Sequence, residues 1–230
     1  FFAAGQGHRD GTGGDHFGHE GMCKRVVGGH WDRAAKLGEL ALANKLEAYN
    51  LPQGVITHMY RDIAAHNIGT ITHVGLNTFV DPRHGGGKLN DVTKEDLVKV
   101  VNIEGQERLL YKGFPINVVF LRASYCDEYG NCSGMGGKTN CGVLSYAYVD
   151  AEMADYVVAV TDCLVDYPNY PAEINQTKVD YVCVVDQIGI PEKIATGAAK
   201  PTTDQRKILM AEYCTQFDKF SALFLPPAGL

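Results

Sequence analysis

No apolar run in this sequence is long enough to cross a bilayer, which excludes a membrane-spanning helix. Positive charge is also scarce. The 21 Lys and Arg stand against 27 Asp and Glu, a net charge of −6, which excludes the clustered basic footprint of a nucleic-acid binder. No stretch has the make-up of a signal peptide. Cysteine is neither dense nor paired by spacing. The seven are scattered and odd in number, and the closest group, Cys126, Cys132 and Cys141, fits no zinc template. Reduced thiols in a cytoplasmic protein are the expectation. A nucleotide-triphosphate loop is missing as well. Gly134 to Thr139 invites that reading, but the template needs glycine six residues before Lys138, and Cys132 stands there. The sequence opens on Phe1 rather than Met, and Phe1 to Ala4 reads as a buried strand, so the natural N-terminus is expected to lie outside it.

What is present is an ordinary globular composition over 230 residues, enough for a sizeable core. The chemistry is expected between Glu47 and Asn90. Glu47 to Leu51 reads as a strand. Asn50 and Gln53, three residues apart, fit a helix capping box. Val55, Ile56, Met59, Tyr60 and Ile63 recur at helical spacing, and Gly69 fits the position past the helix end. Thr70 to Val74 is β-branched and reads as the next strand. Such a strand–helix–strand unit predicts a parallel pair. Ligands of open α/β sheets bind outside the carboxyl ends of such strands. Pro52–Gln53–Gly54 and Gly75–Leu76–Asn77 would both lie there.

Around this stretch, Gly5 to Gly14 reads as a loop and Lys24 to Val27 as a strand. Trp31 to Lys45 reads as a helix in which the only tryptophan packs into the core. Asp81 to Gly87 excludes a helix or a central strand, and its three consecutive glycines permit a sharp bend or a close backbone approach. Val98 to Ile103, Glu104–Gly105 and Arg108 to Tyr111 predict a hairpin. Ile116 to Leu121, Tyr156 to Val160 and Tyr181 to Val185 read as strands buried on both faces. Val143 to Ala154 and the segment from Thr203 and Gln205 to Tyr213 read as helices, and Lys193 to Pro201 as a loop. Six to eight strands with helices between them make one α/β domain.

Asp15-His16-Phe17-Gly18-His19-Glu20 raises a metal site, since His16 and His19 would share a helix face beside carboxylates. A helix start with an acidic first turn explains the cluster without a metal, and no metal is expected.

Several of these segments resemble one family. ITHVGLNTFVDPRHGGGKLN, with NLPQGVITHMYRDIAAH before it and AAGQG at the start, resembles acyl-CoA:carboxylate CoA-transferases of the propionate/acetate type. CDEYGNCSGMGGKTNCGVLSYAYVDAEMA, with NYPAEINQTKVDYV, resembles the α subunit of citrate lyase, a homologue of those enzymes. The resemblance implies an open, mostly parallel sheet flanked by helices. It also implies ping-pong transfer of CoA between an acyl-CoA and a small carboxylic acid, through a glutamyl-CoA thioester. Coenzyme A would be substrate and covalent intermediate, with no permanently bound cofactor.

The family's glutamate lies in a second half, before a glycine-rich run, and no glutamate here has that context. Residues 1–230 thus read as a single α-type domain, truncated at both ends and inactive alone. Its implied partner is a glutamate-bearing β-type half or subunit in a homo- or hetero-oligomer, with neither nucleic acid nor membrane involved. By resemblance Gln53 donates to the acyl oxygen, while Gly54, Gly75, Leu76 and Asn77 shape the substrate pocket. His58 and His73 are expected to pack, or to support the site from behind, rather than to act as acid or base. Two other readings stand beside this one: an acyl-carrier-protein or CoA transferase subunit like citrate lyase α, and a non-catalytic assembly partner.

Overall fold

The computed structural model describes residues 1–3, 7, 11–190, 205–206 and 209. They fall into two compact units, residues 1–120 with 145–158 and residues 121–144 with those from 159 onward. No described helix is long and apolar enough to cross a membrane.

In the first unit, β1 (Arg25–Gly28) and β2 (Glu47–Asn50) pair in parallel, from Arg25 opposite Glu47 to Gly28 opposite Asn50. The crossover between them carries α1 (Ala35–Leu42). Its buried Leu37 and Ala41 pack with Val26, Leu46 and Ala48 of the strand region. The second helix, α2 (Gln53–Ala64), buries Val55, Ile56, Met59, Tyr60 and Ile63, the stripe its spacing predicts. A second sheet runs in the order β3 (Gly69–Thr72), β5 (Gln106–Lys112), β4 (Val98–Ile103), all antiparallel. The hairpin β4–β5 turns through Glu104 (φ 51°) and Gly105 (φ 80°), the left-handed pair that a two-residue hairpin loop requires. Tyr49, Leu51, Ile56, Met59, Leu109 and Tyr111 form the centre of the core, at 1% exposure or less.

The third helix, α3 (Ser145–Met153), meets α2 through Tyr146, whose ring stacks on Tyr60 at 5.0 Å. It also buries Asp150, whose Oδ1 has no hydrogen-bond partner. Burial pushes that carboxyl up to about 7. A raised acid favours its neutral form in the fold. Its stabilising contribution is complete below the unfolded value near 3.9 and is lost as pH rises through 7. Asp150→Asn should therefore flatten the pH dependence of stability, gaining about 1–4 kcal/mol over the parent at pH 8 and little at pH 4. Melting curves at both pH values check this; parallel pH profiles for the two proteins would refute it.

The remaining strands are β6 (Val118–Ala123), β7 (Tyr125–Asp127), β8 (Cys132–Ser133), β9 (Tyr156–Thr161), β10 (Leu164–Val165) and β11 (Tyr181–Val184). One sheet runs β11-β9-β6, and the unit boundaries fall inside β6 and β9. In the second unit the order is β10-β7-β8, with β10–β7 parallel and β7–β8 antiparallel. The class is α/β, as expected, with parallel pairs; among the described residues the strands are distributed over four small sheets.

Several local expectations are corrected. The strands flanking α2 do not pair: β2 takes β1 as its parallel partner, and β3 pairs antiparallel with β5. The parallel unit thus lies one element earlier, β1–α1–β2. The residue ending α2 in left-handed conformation is His66 (φ 57°), and Gly69 instead opens β3. β6 and β11 are not buried on both faces, since Val118, Phe120, Tyr181 and Val184 are all exposed. Val118 and Phe120 lie on one face of β6, while Leu121 and Ala123 face inward, an alternation hidden by the apolar composition. Trp31 packs edge-on against Phe2, as expected of a core residue, but α1 begins only at Ala35. Of the C-terminal helix, Gln205, Arg206 and Leu209 are helical; its remainder, the loop at 193–201 and half of the loop at 5–14 lie outside the described residues.

Candidate active site

The parallel strands β1 and β2 end side by side at Gly28 and Asn50, and α2 begins three residues later. Pro52 holds the cap position (φ −57°, ψ 126°) and makes no side-chain cap bond. The expected capping box is absent. Asn50 is engaged elsewhere: with its amide oriented to satisfy both partners, its nitrogen donates to Gly29 O at 2.9 Å and Gly28 O at 3.2 Å. That bond ties the end of β2 to the end of β1. Gly29 completes the junction. A Cβ there would stand 2.5 Å from Ala3 O and 2.8 Å from the Gln53 Cα, so glycine lets α2 start directly against β1.

Gln53 is exposed, and its side chain has no hydrogen-bond partner among the described residues. It sits in the first turn of a 12-residue helix. The first N–H groups of any helix lack intrahelical acceptors and carry partial positive charge. The result is a neutral amide donor beside oriented N–H groups, outside the carboxyl ends of two parallel strands.

A groove of about 930 Å³ runs along the exposed face of α2. Pro52, Gly54, His58 and Asp62 line one side, and Thr70, Thr72 and Val74 the other. Asp62 is engaged within it, each carboxylate oxygen accepting one bond, from Asn67 Nδ2 at 3.0 Å and Thr70 Oγ1 at 2.5 Å. His58 and His73 are exposed, and neither side chain is hydrogen-bonded among the described residues. No acid–base pair is therefore assembled on this face by those residues.

Gly75, Leu76 and Asn77 follow Val74 as a tight turn. Tyr111 holds it from the core side, donating its hydroxyl to Val74 O at 2.8 Å; burial pushes that phenol up to about 12. Gly75 (φ 98°) is required there, because a Cβ would stand 2.3 Å from the Tyr111 hydroxyl oxygen. Leu76 packs onto the core. Asp81 holds the far side. Its carboxylate accepts from Asn77 N at 3.0 Å, Arg83 N at 3.0 Å and Arg83 Nη2 at 2.7 Å. The Arg83 guanidinium keeps this buried carboxyl well below the usual carboxylate range. The N–H groups of Leu76 and Asn77 are thus engaged, by His73 O and Asp81, and are not open donors. The triple-glycine loop beyond it lies on β2, where Gly87 O accepts from Asn50 N at 2.8 Å.

Three supports escaped the sequence reading: Asn50, Asp81 and Tyr111. Only Asp81 left a local sign, an aspartate directly before Pro82–Arg83, which is a cap for a short turn of helix. In the Asp15 cluster, a 3₁₀ helix (Gly13–Phe17) stops short of His19, and Asp15 Oδ1 accepts from Lys36 N at 2.9 Å. Among the described residues, no group of three His, Cys, Asp or Glu side chains is placed to hold a metal ion.

Comparison with known proteins adds to this geometry. A family model described as citrate lyase, alpha subunit (CitF), matches residues 54–226, from the second residue of α2 through most of the second unit; Pro52 and Gln53 lie just outside the match. Acetate CoA-transferase YdiF of Escherichia coli K12 is 50% identical over 111 residues, covering 48% of this chain and 21% of the relative. The citrate lyase alpha chain of Klebsiella pneumoniae is 41% identical over 140 residues, covering 60% of this chain and 28% of the relative. A crystal structure of the acyl-CoA transferase YdiF of Escherichia coli O157:H7, a thioester complex with CoA, aligns with a TM-score of 0.70 at 34% identity. That match covers 87% of this chain and 39% of the other. The chain thus spans between about a fifth and two fifths of the length of these relatives.

Proposed function

The chain belongs to the family of the citrate lyase alpha subunit, and from that membership we propose that it is the α-type half of an acyl-CoA:carboxylate CoA-transferase acting on short-chain acids. The observation that carries the proposal is Gln53: an exposed amide with no partner among the described residues, in the first turn of α2, beside the joined ends of β1 and β2. Its sequence relatives include a CoA-transferase at 50% identity.

In this reading the nucleophile is a glutamate supplied from outside residues 1–230. Its carboxylate attacks the acyl carbon of the thioester, the C–S bond breaks, and a mixed anhydride and CoA thiolate result. The thiolate attacks the glutamyl carbonyl of that anhydride, releasing the first acid and leaving a glutamyl-CoA thioester. A second carboxylate then reverses the sequence. Each addition places negative charge on a carbonyl oxygen. Gln53 and the first N–H groups of α2 are the donors proposed for it. The groove lined by Gly54 receives substrate in this reading. The turn Gly75–Leu76–Asn77 follows the lining residue Val74, is pinned by Tyr111 and Asp81, and is assigned the shaping of the acyl pocket. No general base is needed in this sequence of steps.

The test is an exchange assay with acetyl-CoA and propionate. Residues 1–230 alone should show no transfer, and the same residues joined to a glutamate-bearing half should turn over and accumulate a glutamyl-CoA adduct visible by mass spectrometry. Transfer at an ordinary enzymatic rate by residues 1–230 alone would refute the assignment of the nucleophile. The 41% identity to a citrate lyase alpha chain favours one second reading, transfer to and from an acyl-carrier protein. Turnover with an acyl-carrier-protein thioester and none with free acyl-CoA would select it.

A further inference from the structure

The second unit holds a pair of sulfurs that the proposed chemistry does not use. Cys126 on β7 and Cys132 on β8 stand directly opposite each other in the antiparallel register. Their backbone N–H groups point away from one another: Cys126 N donates to Cys163 O at 3.2 Å, and Cys132 N to Ile174 O at 2.8 Å. The hairpin bond comes instead from the next residue, Asp127 N to Asn131 O at 3.3 Å. Cys126 and Cys132 therefore form a non-hydrogen-bonded antiparallel pair, the geometry that brings side chains closest, with Cα atoms about 4.5 Å apart. That spacing lies inside the range that a disulfide spans without backbone movement, roughly 4.4–6.8 Å. The two Sγ atoms are already in contact at 3.3 Å.

The hairpin holding them is fixed by its turn. Asp127 accepts from Tyr129 N and Asn131 N, each at 3.0 Å, from Asn131 Nδ2 at 2.7 Å, and from Asn169 N at 2.9 Å. Both thiols are fully buried, so a bulky reagent is excluded, whereas a peroxide is close to water in size.

We propose that Cys126 and Cys132 are a redox-reactive pair that closes to a disulfide with hydrogen peroxide as the two-electron oxidant. Cys126 loses its thiol proton and its sulfur attacks one peroxide oxygen. The O–O bond breaks and the leaving hydroxide takes up that proton, giving a sulfenic acid and one water. Cys132 sulfur then attacks Cys126 sulfur. The S–O bond breaks, and the hydroxide leaves with the Cys132 proton as a second water. The sum is two thiols and one peroxide to one disulfide and two waters. Either sulfur could donate in their contact; with Cys132 as the donor, its proton is held there and the thiolate is favoured at Cys126, the sulfur taken as the attacking one.

The experiment treats the native chain with hydrogen peroxide, then alkylates and digests it under denaturing conditions. Trypsin leaves Cys126 and Cys132 together on the peptide from Ala123 to Lys138, and cleavage after Glu128 separates them unless they are bridged. The expected product is that peptide two hydrogens lighter, held together after cleavage at Glu128, and restored to two alkylatable thiols by dithiothreitol. Exposed Cys183 serves as the internal measure of oxidant dose. In Cys132→Ser the sulfenic acid should persist and be trapped by dimedone added together with the denaturant, and the parent result stands even if that variant folds poorly. The proposal is overturned if both thiols are recovered alkylated at doses that fully oxidise Cys183. It is equally overturned if Cys126 gains oxygen while Cys132 stays free, or if either pairs with a different cysteine.

Discussion

Gln53→Glu in the complete enzyme is expected to lower turnover about 10²–10³-fold, the usual cost of losing one oxyanion donor, while leaving the protein folded. The fold should not suffer because Gln53 has no side-chain partner among the described residues and takes no part in capping, Asn50 being bound to the Gly28 and Gly29 carbonyls. A carboxylate in the first turn of α2 even favours the helix, by roughly 0.3–1 kcal/mol. In the transition state the same carboxylate lies where negative charge develops, so repulsion replaces donation. The loss should fall on kcat and kcat/KM alike, the mark of an interaction made mainly in the transition state. Gln53→Ala should share the defect with less severity, since it removes the donor without adding charge. Steady-state kinetics and a melting curve decide the matter. Near-normal turnover by Gln53→Glu would remove Gln53 from the reaction altogether.

The second large effect is on folding. Gly69→Ala should destabilise the first unit by roughly 2–5 kcal/mol, the sum of a disfavoured backbone conformation and forced overpacking. Gly69 has φ +145°, and a Cβ there would stand 2.0 Å from Tyr111 O and 2.8 Å from Gly113 N. Both obstacles are backbone of the partner strand region and cannot rotate away. Relief requires β3 to separate from β5, and β3 forms one side of the groove along α2. Gly105→Ala is the control. Its φ is also positive, at +80°, but nothing lies within 4 Å of its Cβ position, so only the conformational cost of about 1 kcal/mol remains. Denaturant unfolding of the two variants separates the terms. Equal, small losses for both would mean that the close pairing of Gly69 with Lys112 is not present in solution.

Where a single element carries its own instruction, the sequence was sufficient. The stripe Val55, Ile56, Met59, Tyr60, Ile63 fixed the buried face of α2, because side chains at these spacings share one side of any helix. The hairpin at Glu104–Gly105 was equally plain, since two adjacent residues suited to a tight turn separate two strand-forming runs. Gln53 was found through the resemblance of its surrounding motif to a known family, and its open position at the start of α2 agrees with a donor role.

Pairing was another matter. Nothing within Glu47–Asn50 or Gly69–Thr72 states that the first takes β1 and the second β5, because either edge of a strand offers the same backbone donors and acceptors. Composition likewise made β6 and β11 look buried on both faces, though an apolar run cannot say whether a second layer covers it. The capping box failed for the same reason: Asn50 had a better use in the carbonyls of β1, which lie more than twenty residues away in sequence. Asp81 with Arg83 and Asn77, Tyr111 with Val74, and Cys126 facing Cys132 are also products of chain geometry. The sequence by itself thus determined the helices, the hairpin and the identity of the candidate donor, all written in local periodicity and motif. Only the tertiary structure decided which strand ends meet, which turn is pinned and which thiols touch, because those outcomes depend on how distant segments compete for the same hydrogen bonds and the same core.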